Sequence, residues 1–253
     1  VGILDGKAVM ITGAASGIGE ATAKEAAAEG AKLTLCDVDS DKGAAVAASI
    51  EGAEYVDCDV TDEAAVEAAV KATIEAHGSI DGSFNCAGIL GVVGNIGELP
   101  LDGWKQLIDV DLNGVFLCTK HQVNAMVAQG SGSILNMASA AGLIGWAGAS
   151  GYVAAKHGVV GLTKAAALEY ADQGIRVNSI CPSYVLTPMV EKDLFEDTLG
   201  NDEELIAAAR ANHPIGRFAQ PPEIAAAACW LLSDKASFVT GISMSVDGGY
   251  TAP

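Results

Sequence analysis

The chain has 253 residues, of which half are hydrophobic and 5% aromatic, and it carries a formal net charge of -18. Its length suits one α/β domain with a core built mainly from Ala, Val, Ile and Leu. No cluster of Lys and Arg is present to displace counterions, which excludes a nucleic-acid binder, and an anionic bilayer surface would repel the chain.

Ala8 to Ile11 reads as a first strand, followed by a helix from about Gly17 to Glu29. Lys32 to Cys36 is the second strand, with a helix near Asp41 to Ile50 behind it. Glu54 to Val56 begins a third strand, and Thr61 is the expected N-cap of a helix through Ala76. Gly82 to Phe84 is the fourth strand, and one long helix is expected from about Leu101 to Ala128. Ser133 to Met137 is the fifth strand, Ser150 to Asp172 a further long helix, and Ile175 to Ile180 the sixth strand. An acidic helical insertion covers about Met189 to Ala211, a short helix spans Glu223 to Leu232, and Ser243 to Val246 is the seventh strand.

This alternation predicts an α/β, Rossmann-like, doubly wound parallel sheet of about seven strands with helices on both faces. No linker and no internal repeat divides residues 1–253, so a single domain is expected. Residues 121 to 155 hold no Asp, Glu, Lys or Arg, yet their Gly, Ser, Asn and Gln suit buried strand, loop and helix rather than a membrane span. The N-terminus shows no basic stretch followed by an apolar one, and the six cysteines are scattered without a C-x-x-C pair. A cytoplasmic protein with reduced, packed thiols and no metal site is expected. The acidic excess reads as a solvated surface, with adaptation to high salt as the other reading.

Between the first strand and first helix lies Thr12-Gly13-Ala14-Ala15-Ser16-Gly17-Ile18-Gly19. Glycines there let backbone approach a pyrophosphate, and the helix N-terminus offers free N–H groups and a positive dipole end. Asp37 follows the second strand, 18 residues after Gly19, where a carboxylate accepts from both ribose hydroxyls and repels a 2′-phosphate. With Ala14 and Ala15 uncharged, this favours NAD over NADP.

Tyr152 and Lys156 are four apart on one helix face. An ammonium beside a phenol favours the phenolate and brings it toward use as an acid/base. Ser139, at the end of the fifth strand, is placed to hydrogen-bond a substrate oxygen where charge develops.

With these features together, the chain resembles the single-domain short-chain dehydrogenases/reductases of about 250 residues over nearly its full length. Thr12 to Gly19 matches the family's T-G-x-x-x-G-x-G, and the resemblance implies cofactor contacts at Gly13, Ser16, Gly17 and Ile18. Asp59 and Val60 match the pair that lies against adenine. Asn85-Cys86-Ala87-Gly88 corresponds to N-N-A-G, with Cys86 in place of the second Asn. It adds Asn85, Ala87 and Gly88 to the implied cofactor site. Ser139, Tyr152 and Lys156 match the catalytic serine, tyrosine and lysine, the last two also holding cofactor. Asn178 to Thr187 matches N-x-x-x-P-G-x-x-x-T, which implies that Pro182, Val185 and Thr187 flank the nicotinamide. Ser183 replaces the glycine of that stretch, so a differently shaped loop is expected there.

The family's fourth catalytic residue is an Asn, whereas this chain has Asp111 at that register. Asp111 either keeps a place in the proton relay behind the lysine or is an ordinary helix residue. The tail from His213 to Gly249 also looks like this family, with the nearest similarity to NAD-dependent dehydrogenases of cyclic secondary alcohols and diols. His213 is expected to pack within the tail. The resemblance implies hydride exchange between NAD and a small hydrophobic or alicyclic carbinol, in a homotetramer. A segment at 184–212 would form the substrate lid. Tyr184, Met189, Leu143 and Trp146 are the expected substrate neighbours, with Leu194, Phe195 and Leu90 to Ile96 as further apolar candidates or plain core. The alternatives are a 3-oxoacyl-thioester reductase and, from another class, a non-catalytic NAD-binding regulator.

Overall fold

Ala8–Thr12 (β1) is apolar except at its end and buried at all five positions, a pattern that fits a strand covered on both faces. In the computed structural model, which describes residues 1–252, this strand lies inside the sheet with a neighbour on each side. Along the chain follow α1 (Gly17–Ala28), β2 (Lys32–Asp37), α2 (Ser40–Ala48), β3 (Glu54–Asp57), α3 (Glu63–His77) and β4 (Gly82–Asn85). Then come α4 (Leu101–Ile108), α5 (Gly114–Gln129), β5 (Gly132–Met137), α6 (Ser150–Tyr170) and β6 (Ile175–Pro182). The chain closes with α7 (Glu203–Ala211), α8 (Pro221–Leu232) and β7 (Ser243–Val246).

All seven strands are parallel, in the order β3-β2-β1-β4-β5-β6-β7. Strand order reverses beside β1, so the carboxyl ends of β1 and β4 diverge and leave a crevice. Period-two alternation sorts the core into two layers. Val9 and Ile11 face α1, α2 and α8, while Met10 faces α3, α5 and α6.

Three expected boundaries differ. Thr61 is not the cap of α3: both its N–H and its hydroxyl go to the Asp59 carboxylate, and Asp62 instead accepts from the Ala64 N–H at 2.9 Å. The long helix from Leu101 is broken by a π-helical turn at Asp109–Asn113. A π turn holds an extra residue, which rotates the following helix and turns Asp111 inward while Asp109 and Asn113 stay exposed. The acidic insertion is also two pieces, a π-helical Met189–Glu196 and α7, because Asp202 caps α7 and separates the two.

A buried amide network ties the second layer to the sheet. The Asn85 amide donates to both Gln122 and Asn136 at 2.9 Å, Gln122 donates back to Asn85 at 2.7 Å, and Asn136 donates to Thr163 at 3.1 Å. These residues come from β4, α5, β5 and α6, and all are fully buried. Truncating Asn136→Ala strands the Asn85 amide and the Thr163 hydroxyl away from water. The expected loss is about 1–3 kcal/mol, or roughly 2–4 °C of Tm for each kcal/mol. Scanning calorimetry measures it, and an unchanged Tm contradicts the role given to the network.

Candidate active site

The turn from β1 into α1 is shaped by glycine. Gly13 takes φ +67, and a Cβ there would stand 2.8 Å from the Ala87 backbone. A Cβ on Gly19 would meet the Gly13 carbonyl at 2.0 Å. Ser16 precedes α1 without capping it through its side chain, so the first-turn N–H groups lack a side-chain partner there. They open on a crevice lined by Gly13, Ser16, Gly17 and Ile18, with Gly88, Pro182, Val185 and Thr187 across it. Open donors, no space for extra side chains and a helix N-terminus fit the pyrophosphate of a dinucleotide.

A groove continues from there past Asp37, Asp59, Val60, Ala87 and Gly88. The Asp37 carboxylate is fixed at the tip of β2, accepting from the Ala15 N–H at 2.9 Å and the Asp39 N–H at 3.0 Å. Each of its oxygens keeps lone-pair capacity for a further donor. Asn85 takes no part in lining either cavity, since its side chain is used inside the amide network. It supports the strand end from within the sheet, unlike the other expected cofactor neighbours, which line the cavities.

At the end of β5, Ser139 starts a short 3₁₀ turn and its Oγ accepts from the Ala141 N–H at 3.1 Å. That turn presses on α6 through Gly142, where a Cβ would stand 2.7 Å from the Lys156 carbonyl. Tyr152 and Lys156 therefore sit beside Ser139, with the Lys156 Nζ 5.4 Å from the centre of the Tyr152 ring. Lys156 is 2% exposed and Asp111 fully buried. The ammonium donates to the Met137 carbonyl at 3.1 Å and stands 3.0 Å from Asp111 Oδ2. Asp111 Oδ1 accepts from the Ile89 N–H at 2.8 Å, while Oδ2 makes no well-angled hydrogen bond and has the ammonium beside it.

The charges at this point oppose one another. Burial works against an ammonium at Lys156, but Asp111 and then Tyr152 outweigh it and hold Lys156 above the ordinary lysine value. Burial is also the largest cause raising the Tyr152 phenol. Lys156 and the Ser139 hydroxyl pull it down, and Asp111 pushes it up.

Tyr152 and Ser139 open on a second cleft of about 540 Å³, walled by Leu90, Ile144, Trp146, Met189, Val190 and Leu194. Ala140, Ala141, Ser183, Tyr184 and Tyr250 complete it. Leu143 does not line it: that side chain packs into the cluster of Val115, Val159 and Val160, and Ile144 takes the place expected of it. Phe195 lies behind the wall on Phe218, and Val92 and Ile96 are exposed.

Two features escaped sequence reasoning. Tyr250 reaches the cleft from beyond β7, and no spacing announces it. Ser183 was legible as a departure from glycine, but its partners were not. Its Oγ lies 2.9 Å from His213 Nε2 and 3.2 Å from the Asp247 carbonyl, so the hydroxyl joins the loop to the tail. The loop needs no left-handed residue at Ser183, which explains why glycine is dispensable there. His213 is buried between Tyr184, Phe218 and Tyr250.

Among the described residues no His, Cys, Asp and Glu cluster forms a metal site, and no helix is long and apolar enough to cross a membrane.

A family model described as Enoyl-(Acyl carrier protein) reductase matches residues 13–251. The 2,5-dichloro-2,5-cyclohexadiene-1,4-diol dehydrogenase of Sphingobium indicum is 45% identical over 251 residues, 98% of each chain. The cyclohexanol dehydrogenase of an Acinetobacter species is 45% identical over 97% of this chain and 95% of its own. Among solved structures, a 3-ketoacyl-(acyl-carrier-protein) reductase from Brucella melitensis complexed with NADH superimposes with a TM-score of 0.90. Its identity is 34%, covering 98% of this chain and 99% of that one.

Proposed function

Because the chain belongs to the short-chain dehydrogenase/reductase family and is an oxidoreductase, we propose that it interconverts an alicyclic secondary alcohol and its ketone with NAD(H). The observation that carries this is the meeting of Ser139 and Tyr152, backed by the Lys156 ammonium, at an apolar cleft beside the dinucleotide crevice.

When bound, the nicotinamide supplies or accepts the hydride. Gly13, Ser16, Gly17 and Ile18 would hold the pyrophosphate, and Asp37, Asp59, Val60, Ala87 and Gly88 the adenosine half. Tyr152, Lys156, Pro182, Val185 and Thr187 would hold the nicotinamide half. In oxidation Tyr152 takes the proton of the substrate hydroxyl, and in reduction it returns one to the carbonyl oxygen. Ser139 donates to that oxygen as negative charge develops on it. Lys156 makes the phenol more acidic, and Asp111 keeps Lys156 charged while partly cancelling its effect on Tyr152. Residues 184–212 act as the lid, which brings Tyr184, Met189 and Leu194 over the cleft.

NAD rather than NADP is the expected partner, since Asp37 repels a 2′-phosphate and neither Ala14 nor Ala15 offers a compensating cation. The thioester alternative draws on the acyl-carrier-protein reductase neighbour. An apolar cleft with no Lys or Arg in its described lining favours the alicyclic reading. A homotetramer is also proposed, supported by exposed Phe116 on α5 and Leu168 on α6; sedimentation as a monomer refutes it.

A screen of cyclic and linear secondary alcohols with each cofactor should give NAD(H)-linked turnover with cyclic substrates. Tyr152→Phe should lose at least a hundredfold in kcat, in line with the roughly 10²–10⁴-fold contribution of a general acid/base, while still binding NADH by fluorescence. Turnover retained by Tyr152→Phe rules out the role given to this phenol, and equal rates with NADP rule out the cofactor assignment. Oxidation needs the phenolate, and the negative charge of Asp111 disfavours it. Asp111→Asn should therefore move the acid limb of kcat/KM for alcohol oxidation to lower pH. An unmoved limb contradicts the electrostatic role of Asp111, and an upward-moved one means that its hold on the Lys156 charge outweighs its direct repulsion of the phenolate.

A further inference from the structure

We propose that Tyr184 and Tyr250 form a second polar pole of the substrate cleft, selecting alicyclic substrates that carry a second, neutral oxygen on the ring away from the reacting carbinol. This rests on the alcohol/ketone reading above and names the substrate class within it.

The cleft wall is mostly hydrocarbon, so its few polar atoms decide orientation and choice. Ser139 Oγ already accepts from the Ala141 N–H and lies at the reacting end. Ser183 Oγ is engaged by the Asp247 carbonyl and His213. The Tyr184 and Tyr250 hydroxyls make no hydrogen bond to another side chain or to the backbone among the described residues, and neither is sealed away from the cleft. A polar group in so apolar a setting loses free energy unless a ligand or water satisfies it.

These two rings are held in place before any ligand arrives. Tyr184 packs 5.9 Å from Trp146, 5.5 Å from His213, 5.6 Å from Phe218 and 6.0 Å from Tyr250, measured between ring centres. Tyr250 lies 4.9 Å from His213. His213 is itself pinned by Ser183 and by the Ala209 carbonyl. Hydroxyls fixed in this way lose little entropy on binding, so their hydrogen bonds count toward selection. Burial, and then the neighbouring Tyr250, push the Tyr184 phenol up to about 12, which keeps it a neutral donor.

The Trp146 indole stands edge-on to Tyr152 at 6.2 Å as well as to Tyr184, so one wall runs from the reactive phenol to the distal pair. The described lining contains no Lys, Arg, His, Asp or Glu. A second carboxylate or ammonium on the substrate would meet no countercharge there, whereas a hydroxyl or carbonyl oxygen is matched by two phenols. The name of the Sphingobium relative describes a six-membered ring with oxygens at positions 1 and 4.

The test compares kcat/KM with NAD for cyclohexanol, cyclohexane-1,4-diol and 4-hydroxycyclohexanecarboxylate in the parent enzyme, Tyr184→Phe, Tyr250→Phe and the double variant. The parent should favour the diol over both others. Losing a hydrogen bond to the remote oxygen should lower kcat/KM for the diol roughly tenfold more than for cyclohexanol. The change should fall mainly in KM, because the contact is alike in ground and transition states. A merely structural effect would lower all three substrates together. An unchanged diol-to-cyclohexanol ratio in all three variants, or a parent preference for the carboxylate, overturns the proposal. Turnover of no cyclic alcohol at all defeats the underlying reading too, and so separates the two failures.

Discussion

The ammonium of Lys156 is enclosed by the sheet, α6 and the π turn, and the structure around it is arranged so that a buried cation is tolerable. A lone charge there would cost several kcal/mol. It is met by the Met137 carbonyl at 3.1 Å and the Asp111 carboxylate at 3.0 Å. Three local features follow from that need. The π turn rotates Asp111 inward, the Ile89 N–H holds the other carboxylate oxygen, and Gly142 lets the turn after β5 close onto α6. The same closure sets Ser139 beside Tyr152, so the arrangement that satisfies one buried charge also assembles the groups at the cleft.

This arrangement has an electrical consequence. A lysine beside a phenol normally favours the phenolate, but here a carboxylate lies against the lysine and works the other way on Tyr152. The carboxylate secures the charge of Lys156 while weakening its pull. The charge state of Tyr152 is thereby tied to a buried pair rather than to one cation.

The two cavities meet at Ser139, Tyr152, Ser183, Met189 and Val190 but are built on different principles. The dinucleotide crevice relies on backbone: glycines, a helix N-terminus and one fixed carboxylate, which suits a protein with so few cations. The substrate cleft relies on side chains from segments far apart in sequence. Leu90 follows β4, Trp146 precedes α6, Met189 and Leu194 lie in the π-helical piece after β6, and Tyr250 comes from the tail. Ser183, through His213 and the Asp247 carbonyl, joins two of those segments, the one at 184–212 and the tail, so the shape of the cleft depends on loops held by one another.

By itself the sequence determined the seven parallel strands, the glycine turn, Asp37, and the Ser139, Tyr152 and Lys156 set. Each of these is local: periodicity, turn chemistry or spacing on one helix face settles it. Only tertiary structure decided that the helix from Leu101 breaks into a π turn, since no residue type announces an extra residue per turn. It also withdrew Asn85 into a buried amide network and turned Leu143 into the α6 packing while Ile144 took the cleft. Neighbouring positions on an irregular turn face different ways, and no period predicts which faces in. Tyr250 and the partners of Ser183 were hidden for a related reason, because contacts across more than 25 residues depend on how the segment after β6 and the tail fold back over the sheet.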